Sequence, residues 1–577
     1  MTQTASVPET LAVAAQETFD LVSGAEAMVQ MLDALEVRHL FGLCGDTSLP
    51  FYDALARLHH GIFHVLTRDE RSAAYMADAY ARLTGKVGVC EGPSGGGATY
   101  ILPGVVEANE SSIALLAITT DVSTTSRGRY TLTELDQEAL FAPLTKWNTT
   151  LARAADVPRM LRAAFVQMTT GRPGAVHLSF PFDAQKECFP ADDVRADTTY
   201  ASFPAQRCAP DSSSIEHAAA ILRSARAPRI IVGGGVTIAG AHDELAALAE
   251  LLDAPVGTTI SGKGSLSDAH PLSLGVVGSN GGTAPVRAVI AEADCVLFIG
   301  CRAGSVTTER WRRPGRETNI VHIDVDPAVI GANYSTIAPV VGDAKLALAG
   351  LLQAFGRKFE PRGSTELVAA AKREKFLVFE ELAASDERPI RPERLVDDLQ
   401  AVLPRDAVVV ADPGTPCPYL SAYLTSDVAG RWFITNRAHG ALGYSLAAAC
   451  GAQFARPNAK VVSVMGDGSF GFTAGELETV VRYNLPITFI VVSNSEFGWI
   501  KAGQKNGFGA RYYSVDFTRT DHARVAEAFG LRAWRVEDPR ELRGVLAAAM
   551  AYDGPTLVDV ISQPLEEANA PVSEWIA

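Results

Sequence analysis

A carboxylate and an amide stand 27 residues apart in the sequence, each directly after a short apolar run. Asp467 lies within Gly466-Asp467-Gly468-Ser469 after the run 461–465, and Asn494 follows the run 487–492. Carboxylate and amide oxygens suit a hard cation such as Mg²⁺, which usually shares them with substrate phosphates. The glycines allow backbone N–H groups to approach a diphosphate. These residue types therefore predict a site for Mg²⁺ and a diphosphate.

The elements that must position these residues form a strand, a tight turn at 466–469, a helix and a second strand. The helical pattern places Leu477, Val480 and Val481 on one face, and Pro486 precedes the second strand. Such a unit lays its parallel strands side by side, so both polar residues should end at the same sheet edge, where open α/β sheets bind ligands. An ordinary Asp-Gly turn is the alternative, which the context and spacing disfavour.

The same motif resembles the thiamine diphosphate motif of the acetolactate synthase-like superfamily. In that family the aspartate, the asparagine and a main-chain carbonyl two residues later hold Mg²⁺. The resemblance implies that Asp467, Asn494 and the carbonyl of Glu496 bind Mg²⁺. It also implies that Gly468 and Ser469 contact the cofactor.

Glu70 is predicted at the N-terminus of an alanine-rich helix that continues to Arg82. A glutamate there also complements the helix dipole, for about 0.3–1 kcal/mol. The segment 67–82 resembles the family segment whose glutamate hydrogen-bonds the aminopyrimidine ring of the cofactor. A desolvated glutamate with a raised pKa can share a proton with that ring nitrogen and help to remove the thiazolium C2 proton. The resemblance thus implies Glu70 as the catalytic, cofactor-activating residue.

Further cofactor contacts are implied in two loops. Gly414 and Thr415 occupy the loop that contacts the diphosphate in the family. Gly440 matches the carbonyl that meets the cofactor's amino group, and Leu442 matches the apolar residue that props the cofactor into its bent shape. A plain core position is the alternative for Leu442.

The candidate substrate residues of the first half are Asp46, Thr47, Ser94 and Thr133. Ser94 lies in a loop that resembles the family's Ser-Gly-Pro-Gly loop but carries extra glycines, which would serve tight packing equally well. Thr133 occupies the position of an active-site glutamine in acetohydroxyacid synthases. That departure argues against a standard acetohydroxyacid synthase.

In acetohydroxyacid synthases, the segment after this asparagine supplies a Met, a Val and a Trp that select the second substrate. This chain has Trp499, Ile500 and Gly503 at those positions. Lys501 offers a cation for a carboxylate, sulfonate or phosphate, although a solvent-facing lysine is the commoner case. The stretch 107–110 has no counterpart of the paired histidines of the pyruvate decarboxylase branch, which disfavours a simple decarboxylase.

The middle of the chain resembles the family's central Rossmann-like domain, which binds FAD or ADP in some members and nothing in others. A predicted strand ends in Gly233-Gly234-Gly235, but the fuller GxGxxG pattern is absent. Where FAD-containing members read Arg-Phe-Asp-Asp-Arg, this chain has Arg302-Ala303-Gly304-Ser305-Val306, which disfavours FAD. The stretch 324–327 fits a ribose contact or a turn equally well.

The length of 577 residues suits three or four domains. The predicted fold class is α/β, with three consecutive doubly wound parallel-sheet domains that bind the pyrimidine, form the centre and bind the diphosphate. The expected divisions are a flexible lead 1–18, a pyrimidine-binding domain 19–196, a linker 197–210, a central domain 211–358, a solvated connector 366–387, a diphosphate-binding domain 389–561 and a tail 562–577.

Composition and charge limit the function classes. The net charge of −15 without a basic stripe argues against nucleic-acid binding. No signal peptide or membrane-length apolar run is recognisable, so we expect a soluble cytoplasmic protein without a membrane partner. The eight cysteines show no CxxC pair, and we expect buried thiols rather than disulfides, a zinc site or a catalytic Cys44 or Cys417.

The resemblance implies a thiamine diphosphate- and Mg²⁺-dependent lyase or carboligase that acts on a small molecule beside the carbonyl of a 2-oxo acid, aldehyde or 2-hydroxyacyl group. It also implies a homodimer or a dimer of dimers, with active sites between the first domain of one subunit and the third of another. The alternatives are a 2-hydroxyacyl-CoA lyase or oxalyl-CoA decarboxylase relative, an FAD-dependent pyruvate oxidase-like enzyme, and a non-catalytic cofactor-binding protein.

Overall fold

Three six-stranded parallel sheets follow one another along the chain in the computed structural model, which describes residues 20–356 and 361–575. This confirms the predicted α/β class of three consecutive parallel-sheet domains. The strands read as nearly continuous apolar runs because both faces of each sheet are covered. The predicted lead 1–18 lies outside the described residues, as does the end of the predicted central range, and the domain boundaries stay predictions.

The first sheet has the strand order β3-β2-β4-β5-β7-β6, and a short antiparallel pair, β1 with β8, lies beside it. The strands are β1 (Leu21–Ser23), β2 (His39–Gly42), β3 (Phe63–Leu66), β4 (Gly88–Gly92), β5 (Leu115–Asp121), β6 (Trp147–Thr150), β7 (Ala175–Pro181) and β8 (Cys188–Pro190). The helices are α1 (Gly24–Ala34), α2 (Leu49–Arg57), α3 (Glu70–Thr84), α4 (Gly96–Tyr100), α5 (Leu102–Glu110), α6 (Gln137–Phe141), α7 (Val157–Thr169) and α8 (Phe182–Lys186).

The second sheet has the order β11-β10-β9-β12-β13-β14. Its strands are β9 (Pro228–Val232), β10 (Val256–Thr258), β11 (Ser273–Val276), β12 (Cys295–Ile299), β13 (Asn319–Asp324) and β14 (Ala338–Val341). The helices are α9 (Ser212–Ser224), α10 (Gly234–Ala239), α11 (His242–Leu252), α12 (Ala284–Ala291) and α13 (Ala344–Phe355), and α14 (Ser364–Ala383) follows.

The third sheet has the order β16-β15-β17-β18-β20-β19. Its strands are β15 (Val408–Ala411), β16 (Phe433–Thr435), β17 (Val461–Gly466), β18 (Thr488–Ser493), β19 (Arg532–Val536) and β20 (Thr556–Ile561). The helices are α15 (Pro392–Val402), α16 (Pro416–Tyr423), α17 (Tyr444–Ala455), α18 (Asp467–Thr473), α19 (Leu477–Arg482), α20 (Gly498–Gly507), α21 (His522–Phe529) and α22 (Pro539–Ala551).

Three predictions about connecting segments need correction. The tight turn predicted at 466–469 is wrong, because α18 begins at Asp467, immediately after β17. The linker 197–210 is packed on the first domain: Phe203 is buried, and its N–H donates to the Gly85 carbonyl at 2.8 Å. The connector is not fully solvated either, because α14 buries Val368 and Phe379 in one apolar face.

The first and third domains are held together by the helix pair α3 and α17. A side chain at Gly451 would lie 2.1 Å from the Met76 carbonyl oxygen, so the two backbones are in direct contact. Beside this contact, the Tyr444 hydroxyl and the Arg82 guanidinium both donate to the Asp78 carboxylate, at 2.5 and 2.8 Å. These buried hydrogen bonds to Asp78 therefore fix the loop before α17 relative to the first sheet.

The predicted tail 562–577 lies against the central domain over its described part, which ends at 575. Leu565 is fully buried, and Val572 forms a bridge with Asn280. Glu574 pairs with Arg310 at 2.9 Å. Within the described ranges, no helix is both long and apolar enough to cross a membrane.

Candidate functional site

The edge of the third sheet brings Asp467 and Asn494 together, as their positions after two strands predict. β17 and β18 are parallel neighbours in which Gly466 pairs with Val492. The Asp467 carboxylate accepts hydrogen bonds from the N–H groups of Asn494 at 2.9 Å and Ser495 at 2.6 Å, and from that of Gly468 at 2.9 Å. This single carboxylate therefore joins the two loops of the sheet edge.

The chemistry of this edge fits a divalent cation. The side-chain nitrogen of Asn494 is buried without a hydrogen-bond partner among the described residues, and the side-chain oxygen of the same amide is the atom that would bind the cation. A carboxylate has about four acceptor positions, so Asp467 keeps some free after the three backbone contacts. Burial raises the pKa of Asp467, and a bound cation would offset that effect. Among the described residues, no cluster of three or more His, Cys, Asp or Glu side chains is suited to hold a metal ion.

The side chain of Glu496 is engaged elsewhere. It accepts a hydrogen bond from the Lys501 ammonium at 2.7 Å, and burial raises its pKa to about 7. Lys501 also contacts Asp516 at 2.8 Å and Glu566 at 3.1 Å. Three carboxylates thus already pair with Lys501, and its role as a substrate contact stays a prediction.

Glycines leave open space around the predicted diphosphate and pyrimidine contacts. Gly414 and Gly440 adopt φ angles of +106° and +75°, which L side chains rarely adopt. A side chain added at either position, or at Gly466, would meet no atom within 4 Å. Thr415 and Ser469 are buried beside this space. The loops can therefore admit a ligand close to their backbone, which is what a diphosphate requires.

Asp412, to which the sequence analysis assigns no role, organises these loops. It directly follows β15 and is fully buried at the N-terminus of α17. Its carboxylate accepts from the N–H of Gly443 at 3.1 Å and from the N–H and hydroxyl of Ser445 at 2.9 and 2.7 Å. Burial raises its pKa to about 6. The sequence signal for Asp412 is its position directly after a third strand that ends at the same sheet edge.

Glu107, also missed by the sequence analysis, ties the first domain to the predicted pyrimidine loop. It lies buried on α5 and accepts from the N–H of His439 at 2.7 Å and of Ala438 at 3.2 Å. The Arg82 guanidinium donates to the same carboxylate at 3.1 Å. The loop that precedes Leu442, a half-buried residue, is thereby held by a residue more than 300 positions away.

Glu70 is the first residue of α3, and only 7% of it is exposed. The preceding Asp69 caps the helix by accepting from the Arg71 N–H at 2.8 Å. A side chain at Gly97 would lie 3.1 Å from the Glu70 carboxylate, and one at Gly92 would lie 3.2 Å from its Cγ. Glycines in this loop therefore serve close packing against Glu70. Burial raises the pKa of Glu70, and the nearby charges of Asp69 and Glu91 add to the effect.

A chain of hydroxyl groups joins three of the predicted substrate residues. Ser94 lies 2.6 Å from Thr133 and 3.2 Å from Thr47, measured between side-chain oxygens. The chain ends at Thr120, missed by the sequence analysis, whose hydroxyl lies 2.8 Å from that of Thr47. Asp46 begins the short helical turn that carries Thr47. The structure thus brings these residues to the loop that packs on Glu70.

The remaining candidates lie on α20. Trp499 packs against Trp575 of the tail, with 5.2 Å between ring centroids, and Ile500 is more than half exposed. Among the described residues, no hydrogen bond or ion pair joins Glu70 to Asp467. The two halves of the predicted site belong to different domains of the chain, Glu70 to the first and Asp467 to the third.

The central domain has a cavity of about 480 Å³, lined in part by Gly233, Gly300, Arg302 and Asp324. A side chain at Gly235 would lie 2.6 Å from the Gly300 Cα, so these glycines allow two strand ends to approach closely. Arg302 donates a hydrogen bond to the Glu110 carboxylate at 3.2 Å. The cavity is large enough for a small-molecule ligand.

Comparison with known proteins matches three domains of one kind of enzyme along the chain. The N-terminal TPP binding domain of thiamine pyrophosphate enzymes matches residues 22–140, their central domain matches 215–351, and their C-terminal TPP binding domain matches 412–560. The three matches follow the order of the three sheets.

Curated relatives cover nearly the whole chain. A probable acetolactate synthase large subunit of Methanococcus aeolicus is 35% identical over 569 residues, 94% of this chain and 92% of the relative. A protein of the same description from Methanocaldococcus jannaschii is 35% identical over 94% of this chain and 93% of its own length. An acetolactate synthase of Arthrospira platensis is 33% identical over 93% and 94%. The chain belongs to the thiamine pyrophosphate enzyme family.

Proposed function

We propose that this enzyme uses thiamine diphosphate and Mg²⁺ to make or break a C–C bond beside a carbonyl, with a 2-oxo acid as donor. The observation that carries the proposal is the buried Glu70 against its glycine loop, in a chain that also keeps the Asp467 and Asn494 edge. The relatives named acetolactate synthase support the donor class. When bound, thiamine diphosphate supplies a carbon nucleophile and an electron sink.

The chain's own residues bind and orient this cofactor. Asp467, Asn494 and the Glu496 carbonyl would hold Mg²⁺. The diphosphate would lie near Gly414, Thr415, Gly468 and Ser469, and the pyrimidine near Gly440 and Leu442. Asp412 and Glu107 act as positioning residues, because each holds backbone N–H groups of these loops.

Glu70 handles a proton. Because burial raises the pKa of Glu70, this carboxyl keeps a proton more readily than an exposed glutamate does and can share it with a basic ring nitrogen of a bound cofactor. Water is largely excluded from it by the tight packing of the loop that contains Gly97. These are the two conditions that a proton-sharing carboxylate requires.

The substrate pocket differs from that of standard acetohydroxyacid synthases. Four neighbouring hydroxyls can donate hydrogen bonds to a carboxylate or carbonyl oxygen, namely those of Thr47, Ser94, Thr120 and Thr133. Trp499 and Ile500 would line the acceptor side. We therefore propose a carboligase whose donor is a 2-oxo acid and whose acceptor differs from that of standard acetohydroxyacid synthases.

A homodimer or dimer of dimers would complete the site. Large apolar side chains are exposed in both halves, including Tyr130 and Leu132 in the first domain and Phe508 and Tyr513 in the third. Pairing the first domain of one subunit with the third of another would cover both groups. It would also bring Glu70 of one subunit to Asp467 of the other.

The central cavity fits part of a nucleotide, but the 302–306 segment departs from that of FAD-containing relatives. A flavin therefore forms no part of the proposed reaction. A purified protein with flavin absorbance would instead favour the pyruvate oxidase-like alternative.

The proposal is tested by supplying thiamine diphosphate, Mg²⁺ and pyruvate, and by identifying the products. Pyruvate as donor is expected to release CO₂, and the carbon skeleton of the product identifies the acceptor; where pyruvate is also the acceptor, two pyruvates and one proton give acetolactate and CO₂. Parallel reactions contain benzoylformate, sulfoacetaldehyde or 2-hydroxyacyl-CoA thioesters. Turnover of thioesters alone would replace the proposal with a lyase of the CoA branch. Absence of H/D exchange at the cofactor C2 would indicate a non-catalytic protein.

A further inference from the structure

A cavity of about 280 Å³ lies between the central domain and the third domain, away from the predicted cofactor site. Its walls include Lys372, Lys375 and Phe376 of α14, Asp268 and Gly275 of the central domain, and Ser426 of the third. This volume is near the lower limit of sites for drug-sized ligands, about 300 Å³. The cavity therefore suits a small ligand.

The cavity contains a largely buried cation that forms no ion pair within the described residues, although the charge of Asp268 acts on it at longer range. Lys375 is 6% exposed, and its ammonium makes no hydrogen bond or ion pair with any residue that the structure describes. The groups around it are the rings of Phe376 and Tyr423, whose centroids lie 5.0 and 5.8 Å from Nζ. A side chain at Gly275 would lie 3.6 Å from Nζ, so the glycine keeps the space beside the ammonium open.

Two more lysines face the same region, but only one carboxylate is available. Lys263 lies 3.8 Å from the Asp268 carboxylate, and Lys372 donates to the Asp268 main-chain carbonyl at 2.7 Å. The Asp268 carboxylate also accepts from the Ser426 N–H at 3.0 Å. Asp427, the other acid of the cavity, is paired with Arg405 at 3.0 Å. Both acids of the cavity are thus engaged by other groups, which leaves Lys375 without a direct ion-pair partner among the described residues.

We propose that this cavity binds a small oxyanion of the phosphate or carboxylate class, which pairs with Lys375 and is supported by Lys372. A buried ammonium without a partner is costly, and an oxyanion supplies both the charge and the hydrogen-bond acceptors that it lacks. Burial and the neighbouring lysines lower the pKa of Lys375 to about 7, as expected for such an unpaired group. The bound anion would link the central and third domains.

The test uses the holoenzyme with saturating thiamine diphosphate and Mg²⁺, so that the cofactor site does not take up the probe. Phosphate, sulfate or malonate is titrated against chloride at constant ionic strength while the melting temperature and the heat of binding are recorded. We expect at least one oxyanion to raise the melting temperature above the chloride value. The phosphate and malonate titrations distinguish the two ligand chemistries.

Lys375→Met should weaken this binding at least 10-fold, and without the anion it should fold at least as well as the wild type because it removes an unpaired buried charge. Arg373→Gln is the matched control, since Arg373 is an exposed cation on the same helix. It should bind as the wild type does. An unchanged response of Lys375→Met, or no oxyanion effect on the wild type, would overturn the proposal.

Chemical labelling supplies a second measurement. The rate at which acetic anhydride acetylates Lys375 in the holoenzyme, followed by mass spectrometry, should fall when the bound oxyanion is present. The rate at exposed Lys505 should stay constant. Equal labelling of Lys375 with and without the anion would contradict the proposal, whether or not the melting temperature changes.

Discussion

At the scale of single residues, the proposed chemistry depends on how Glu70 is buried. Glu70→Gln keeps the size of the side chain but removes its exchangeable carboxyl proton. Because general acid–base catalysis typically contributes about 10²–10⁴-fold, we expect kcat to fall by that factor with thiamine diphosphate and Mg²⁺ saturating. H/D exchange at the cofactor C2 should slow in parallel, as measured by NMR.

The matched control is Glu36→Gln, at a glutamate whose ion pair with Lys86 is exposed. It should leave both rates unchanged. Full turnover of Glu70→Gln would show that the proton is handled by another group and would remove Glu70 from the mechanism.

The packing around Glu70 gives a second prediction at this scale. In Gly97→Ala, the new methyl group would lie 2.5 Å from Pro93 Cδ and 3.1 Å from the Glu70 carboxylate, so the carboxylate must move. We expect kcat to fall at least about 10-fold, which corresponds to about 1.4 kcal/mol in the activation barrier. Steady-state kinetics measure this effect, and the melting temperature monitors folding.

Gly96→Ala is the neighbouring control, because its methyl group would meet only the Tyr100 ring, at 3.8 Å. Its kcat should stay within about 3-fold of the wild type, a difference of less than 1 kcal/mol. Equal losses in the two variants would mean that the loop is sensitive to any side chain and that the contact with Glu70 is not the cause.

Sequence could predict residues that carry a motif, but not those that act through tertiary contacts. The spacing of Asp467 and Asn494 predicts a shared sheet edge, and the structure places them there. Glu107 carries no local signal, because its partners lie more than 300 residues away. Lys501 is a second example. Its own segment predicts a free cation, because its carboxylate partners Asp516 and Glu566 cannot be recognised from that segment.

At the scale of elements, the contact of α17 with α3 makes a glycine necessary inside a helix. Alanine usually stabilises a helix interior by about 1 kcal/mol relative to glycine. In Gly451→Ala, however, the methyl group would lie 2.1 Å from the Met76 carbonyl oxygen, and the helices must separate. Because such overpacking costs about 1–3 kcal/mol, the melting temperature should fall. Differential scanning calorimetry measures this change.

Gly544→Ala on α22 is the control, because its methyl group would meet no atom within 4 Å. Its melting temperature should be unchanged or higher. If Gly451→Ala were as stable as the wild type, the close approach of α3 and α17 would not be what joins the two domains.

Element types could be predicted from periodicity, because the strands expected before Asp467 and Asn494 are present as β17 and β18. The exposure of α14 could not. Its many charges predict a solvated helix, but Val368, Lys375 and Phe379 line one face, and that face packs between two domains. Charge content describes the outer face of such a helix, whereas the spacing of a few apolar residues decides whether it packs.

At the scale of the whole molecule, the proposed mechanism assigns Glu70 and Asp467 of one active site to two subunits. Leu132 is 86% exposed in the loop that carries Thr133, and we place this loop at the subunit interface. Burying a leucine contributes about 1.5–3 kcal/mol, so Leu132→Asp should raise the dimer dissociation constant at least about 10-fold. Analytical ultracentrifugation measures that constant, and specific activity should fall on dilution.

Leu377→Asp changes an equally apolar residue, 69% exposed on α14, and should leave both quantities unchanged. A wild-type monomer with full activity would contradict the shared site, because a single chain would then bring both halves together.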